Sequence, residues 1–185
     1  MTDVNTVYEV VKEMFVQRGY TIDEEHENTD LVIGGYKLNS LGEKGYENIC
    51  CFKEIFTKFN IKNFTDCSGF VNGLNLTHGV IIYSDKITPA VKKLIETTDA
   101  DKGLKCTFEM FHINDVFFNP TKHLLVPVHT RVPDEEAKIL KDKYESSKFP
   151  TLKSSDPIAR FLAFKKGDII KIIRREGYIA YRVVR

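Results

Sequence analysis

The sequence predicts an α/β (α+β) chain built from two modules. Three observations carry this. Stretches with apolar residues every three or four positions alternate with short β-branched runs through the first 118 residues. The charge then reverses: residues 1–118 hold 12 Lys and Arg against 18 Asp and Glu, a net −6, while residues 119–185 hold 15 against 8, a net +7. The chain also closes on two β-rich runs separated by a Gly turn. With 185 residues, 42% of them hydrophobic, it can bury one core or two small ones.

In chain order, Val7, Val10, Val11, Met14 and Phe15 form one apolar face, so residues 4–18 are predicted helical, with Asp3 as N-cap and Gly19 just past the end. Residues 21–28 are acidic and expected to be exposed. Residues 30–38 are read as a second short helix, which Gly34-Gly35 weakens. Residues 39–46, with Gly42 and Gly45, are read as a loop, 48–56 as a strand and 62–74 as a helix. The apolar run Gly79-Val80-Ile81-Ile82-Tyr83 suits a strand buried on both faces. Thr88-Pro89 opens a helix to about Glu96, with Pro at the first helical position, and residues 99–103 form a polar turn. Leu104, Cys106, Phe108 and Met110 alternate with Lys105, Thr107 and Glu109 as in a half-buried strand.

The boundary falls near Asn119-Pro120, dividing the chain into modules 1–118 and 119–185. Residues 122–129 are expected to be extended around Pro127. Residues 133–144 form a helix with Pro133 near its start and three acids in its first turn. Asp156-Pro157 starts a short helix whose apolar face is Ile158, Phe161 and Leu162, and Gly167 breaks it. Residues 168–173 and 178–184 are two strands joined by a turn at Arg175-Glu176-Gly177.

Several function classes fit poorly. No stretch approaches the roughly 18 apolar residues of a membrane span, and no basic leader precedes an apolar run, so a soluble, non-membrane protein is expected. Cys50 and Cys51 are adjacent and point to opposite faces of a strand, so they are not two ligands of one zinc; with Cys67 and Cys106 they read as reduced, buried thiols. His123 and His129 lack a metal-ligand spacing and read as structural or interface residues. A nuclease needs an acid followed by [DE]-x-K on a strand, and the one match, Glu136-Ala137-Lys138, lies on a predicted helix. Gly-rich phosphate loops and hydrolase elbows are missing. No catalysis, cofactor, metal or small-molecule substrate is expected of the chain by itself.

Four ordered motifs in the last third carry a family resemblance. His123-Leu124-Leu125-Val126-Pro127-Val128-His129 resembles H-x-L-V-P-x-H. Asp156-Pro157-Ile158-Ala159-Arg160-Phe161-Leu162 resembles D-P-[VI]-A-[RL]-[YF]-[LF]. Residues 165–174, KKGDIIKIIR, resemble K-[RK]-G-[DEQ]-[VI]-[VI]-K-I-I-R, and residues 178–184, YIAYRVV, a closing Y-x-x-Y-R-[VI]-[VI]. Together they are similar to the assembly domain of the archaeal H-type RNA polymerase subunit, whose counterpart is the fifth subunit shared by eukaryotic nuclear RNA polymerases. Val11-Lys12-Glu13-Met14, Arg18-Gly19-Tyr20, the run 79–83 and Ile87-Thr88-Pro89-Ala90 resemble the eukaryotic version's additional jaw domain; residues 24–75 match it poorly.

The resemblance departs at named positions. The hairpin after Arg174 lacks the family's S-E-T-x-G-like loop, Thr151-Leu152 replace Arg-Ile, and Leu124 and Val128 replace usually polar residues. Such departures are compatible with a divergent member, as from a large DNA virus that encodes its own polymerase.

The resemblance implies a jaw domain (1–118) of mixed sheet and helices, and an assembly domain (119–185) ending in a β-hairpin. It implies a non-catalytic subunit of a DNA-dependent RNA polymerase, in the nucleus if cellular, or in virion or host cell if viral. The assembly domain would dock on the largest subunit, beside other polymerase subunits, and the jaw would lie near downstream duplex DNA. His123, Pro127, His129, Asp156, Pro157, Arg160, Gly167, Lys171, Arg174, Tyr181 and Arg182 are the docking candidates. For Arg160, Lys171, Arg174 and Arg182 the alternative is a solvated surface cation; Pro127, Pro157 and Gly167 are read as fixing backbone shape. Thr88, Pro89 and Ala90 are the DNA-proximal candidates, or an ordinary capped helix start. A free-standing transcription adaptor with the same fold is the alternative function.

Overall fold

The computed structural model describes residues 4–23, 32–100, 106–144 and 149–185. The chain divides into two compact units, Met1–Phe118 and Asn119–Arg185. No helix among the described residues is long and apolar enough to cross a membrane.

The first unit is built on a five-stranded sheet of order β1-β2-β3-β4-β5, with β1 Thr21–Asp23, β2 Val32–Leu38, β3 Lys44–Phe59, β4 His78–Ile87 and β5 Thr107–His112. β1, β2 and β3 pair antiparallel; β3, β4 and β5 are parallel. The crossovers are helices α2 (Ile61–Gly73) and α3 (Pro89–Ala100), the covering that parallel pairs require. Alternation along the strands sends Cys50, Phe52, Phe56 and Ile81 into a core with Phe64, Cys67 and Val71 of α2 and Val91 and Ile95 of α3.

Helix α1 (Val4–Gln17) buries the predicted face, Val7, Val10, Val11, Met14 and Phe15. Gly19, at φ +84°, ends it. Its N–H donates to the Val16 carbonyl and that of Tyr20 to the Phe15 carbonyl, while the Tyr20 ring packs 6.2 Å from that of Phe15. This bond pair with its apolar contact is a Schellman ending. Asp3, the expected N-cap, lies outside the described residues.

The structure corrects several expectations. Residues 32–38 are strand, not helix: Gly34 and Gly35 sit mid-strand against Cys50 and Ile49. A Cβ on Gly35 would come within 3.4 Å of the Phe15 ring, so the glycine makes room for α1. The loop at 39–46 is shorter, since Lys44 already belongs to β3. Of the stretch expected to be acidic and exposed, Thr21–Asp23 is a strand whose buried Asp23 carboxylate accepts from Lys44 Nζ at 2.6 Å, and residues 24–28 lie outside the described residues. Helix α3 runs on to Ala100, through the first positions assigned to a turn. Pro120–Lys122 is a 3-10 turn, His123 is already extended, and strand pairing begins at Val128.

The second unit carries a four-stranded sheet of order β6-β8-β9-β7: β6 Val128–Arg131, β7 Thr151–Leu152, β8 Ile169–Ile173 and β9 Ile179–Val184. Helices α4 (Asp134–Lys143) and α5 (Pro157–Phe161) complete it. One core joins Leu152, Ala159, Ile170, Ile172 and Val184; another joins Val132, Ala137 and Ile169, with Leu140, Phe149 and Tyr181 packed against it. The sheet therefore has apolar groups on both faces. Pro133 is the N-cap of α4 rather than its first helical residue.

Helix α5 ends earlier than expected. Ala163, at φ +54°, closes it, with Phe164 N–H donating to the Ala159 carbonyl. Gly167, at φ +92°, instead serves the turn from Lys165 to Asp168.

All four cysteines are free and buried, and Cys50 and Cys51 point to opposite faces. Burial pushes the Cys50 and Cys67 thiols up to about 12. A disulfide-exchange reagent at neutral pH is thus expected to label the native chain no faster than it unfolds, and all four thiols at once in denaturant. Above pH about 9 the unfolded chain loses thiol protons that the folded chain keeps, so stability falls as pH rises there; rapid labelling of the native chain would contradict this.

Candidate docking surface

Register in the second unit decides which side chains share a face. Along β8, Ile170 and Ile172 point one way and Ile169, Lys171 and Ile173 the other. Arg182 lies opposite Ile170, and His129 and Ala180 lie opposite Ile172. Thr130 and Tyr181 lie opposite Lys171. Val128 and Ile179 lie opposite Ile173. The candidates thus divide. His129 and Arg182 share one face; Lys171 and Tyr181 share the other, where the Tyr181 ring packs on Val132, Ala137 and Ile169.

A groove of about 500 Å3 opens on the first face. It gathers five of the eleven docking candidates: Pro127, His129, Asp156, Arg174 and Arg182. Ile172 and Leu152 supply apolar lining, the segment 124–127 borders it, and Arg174, Arg175 and Glu176 of the hairpin turn complete it. Arg175 Nη2 donates to the Leu124 carbonyl, joining turn and segment. The turn is short because Gly177 adopts φ +81° and donates to the Arg174 carbonyl at 2.9 Å, while Arg174 N–H donates to the Tyr178 carbonyl at 2.9 Å.

Several candidates, two of them in the groove, also shape the local backbone. Asp156 Oδ1 accepts from Ile158 N–H at 2.9 Å, capping α5, with Pro157 at the first helical position. Arg160 lies in that helix and Gly167 N–H donates to the Val184 carbonyl at 2.9 Å. The ring of His123 accepts from Leu125 N–H at 3.2 Å. His129 Nδ1 donates to the Pro127 carbonyl at 2.7 Å, since a carbonyl only accepts. Among the described residues no group of His, Cys, Asp or Glu is arranged to hold a metal.

Sequence reading missed two features here. Arg131 Nε bonds Asp168 at 3.0 Å and its Nη2 bonds Asp134 at 2.5 Å, a clamp between elements that lie far apart in the chain; the Asp168 hydrogen bond raises the guanidinium pKa. Leu124 and Leu125 are 74% and 78% exposed, and Val128, Ile173 and Ile179 form an exposed apolar row on the opposite face. Leu124 and Val128 were the available signal, as they replace polar residues of the family pattern.

In the first unit, Thr88, Pro89 and Ala90 are exposed at the start of α3, where the Thr88 carbonyl accepts from the Val91 and Lys92 N–H groups. Lys58 and Lys86 are register neighbours near the C-terminal ends of β3 and β4, both exposed. They escaped sequence reading because strand pairing brings them together from 28 positions apart.

These motifs define a class. Residues 118–184 match the RNA polymerase Rpb5 C-terminal domain. The chain is 35% identical, over 96% of its own length and 97% of the relative's, to a "Putative DNA-directed RNA polymerase subunit 454R" of Invertebrate iridescent virus 6. It is 31% identical, over 69% of its own length and 62% of the relative's, to the "DNA-directed RNA polymerases I, II, and III subunit RPABC1" of Caenorhabditis briggsae. The chain belongs to the Rpb5 family of RNA polymerase subunits.

Proposed function

We propose that this chain is a non-catalytic structural subunit of a multi-subunit DNA-dependent RNA polymerase, anchored by residues 119–185 on the largest subunit. The observation that carries the reading is the match of residues 118–184 to a polymerase-subunit domain, together with the groove that gathers five of its motif residues. The relative from an iridescent virus, similar over nearly the whole of both chains, supports a viral polymerase as the setting. Arg174 and Arg182 are the docking cations; planar guanidinium forks suit carboxylate and carbonyl partners. Tyr181 belongs to the core, so removing it tests folding before it tests docking.

The first unit lies beside downstream duplex DNA in this reading. Its net −6 excludes a grip by bulk charge, so any contact is local and weak. Thr88, Pro89 and Ala90 with Lys58 and Lys86 are the local surface that fits a phosphate backbone.

Charge reversal separates the two surfaces. Arg182→Glu is expected to lower the fraction of chain retained on the polymerase at least tenfold, and Thr88→Ala less than twofold, measured by co-purification in high salt. Equal retention of both variants would count against docking through this face.

A further inference from the structure

We infer that the groove formed by the shortened hairpin turn takes an extended, acidic segment of a partner polymerase subunit, with a carboxylate between Arg174 and Arg182 and an aliphatic side chain against Leu125 and Ile172. This rests on the subunit reading and specifies the chemistry of the partner.

Arg174 is exposed and its guanidinium has no hydrogen bond or ion pair among the described residues, although it borders a groove with apolar lining. Arg182 Nη1 is held on the Thr151 carbonyl at 3.2 Å, which orders the guanidinium while leaving other N–H donors for a ligand. His129 Nδ1 is bonded to Pro127, which leaves Nε2 for a partner. Of the two acids in the lining, Asp156 is engaged as the helix cap. The groove thus presents cationic donors, within a unit of net +7, to whatever occupies it.

Shape and polarity select a peptide over nucleic acid. Leu124 and Leu125 stand 74% and 78% exposed beside the groove, and Ile172 and Leu152 line it. Apolar lining rewards an aliphatic anchor rather than a phosphate. A volume of about 500 Å3 accommodates a few residues of extended chain. The Arg175 contact to the Leu124 carbonyl depends on the short turn, so a longer loop of the family type would remove this border of the groove.

The test uses the full chain assembled into polymerase, with a photo-crosslinking amino acid at Leu125 and, as control, at Ile139, an exposed position on α4. The expected result is one crosslinked peptide from Leu125, containing at least two Asp or Glu within about six residues, that is absent from the Ile139 sample. Arg174→Glu is expected to reduce that crosslink at least fivefold, with recovery when the mapped acid is changed to Lys. A crosslink to DNA, to a peptide without acids, or none in an intact complex overturns the inference and leaves the subunit reading standing. Failure of the unsubstituted chain to enter the polymerase overturns both.

Discussion

Glu109→Ala should destabilise the first unit by about 1–3 kcal/mol, the cost of taking the hydrogen-bonding carboxylate away from a buried guanidinium whose partner is itself 31% exposed. The carboxylate holds Arg18 through two bonds, Nη1 to Oε1 and Nη2 to Oε2, both 2.9 Å. The Arg18 side chain is only 3% exposed, so the variant leaves a guanidinium in the interior without this carboxylate. The pair ties the end of α1 to the edge strand β5, positions 91 residues apart. Urea denaturation followed by a probe in the first unit reads the loss, and Glu109→Gln, which keeps hydrogen bonding without the charge, should lose less. If docking belongs to residues 119–185, Glu109→Ala chains still enter the polymerase. A loss below about 1 kcal/mol would contradict the burial argument, and detachment from the polymerase would contradict the division of labour.

The complementary variant is Ile170→Ala. Ile170 is fully buried and packs with Leu152, Ala159, Ile172 and Val184. Truncation of such a side chain costs about 2–5 kcal/mol. A unit of this size seldom draws more than about 3–5 kcal/mol from its core, so the variant should leave little of it folded. Ile170→Val, at about 0.5–1.5 kcal/mol, should keep it folded. The expected outcome is loss of polymerase retention with Ile170→Ala and near-normal retention with Ile170→Val. Full retention of the alanine variant would show that residues 119–185 do not anchor the chain.

Where helix and strand periodicity were strong, the fold was legible in the sequence. The α1 face, the α2 helix, the buried run 79–83, the Asp156-Pro157 cap and the final hairpin all appear. Reading failed where a tertiary partner outweighed local preference. Gly34-Gly35 argued against a helix, yet the strand became visible only through pairing with β3 and the approach of Phe15. Ala163 closes α5 in a conformation its side chain disfavours, which no local signal announced. In the second unit the motifs named the right segments, but only register separated the groove face, with His129 and Arg182, from the face of Lys171 and Tyr181. The Arg131–Asp168 bond spans 37 positions and was equally hidden.

The central claim is that this chain is built into an RNA polymerase. Its most direct test is affinity purification of the tagged full chain from its native source, followed by measured subunit ratios. The account predicts equimolar recovery with the two large catalytic polymerase subunits, stable to salt that removes DNA. Recovery as a free monomer, from extracts in which those two subunits purify together without it, would contradict the account.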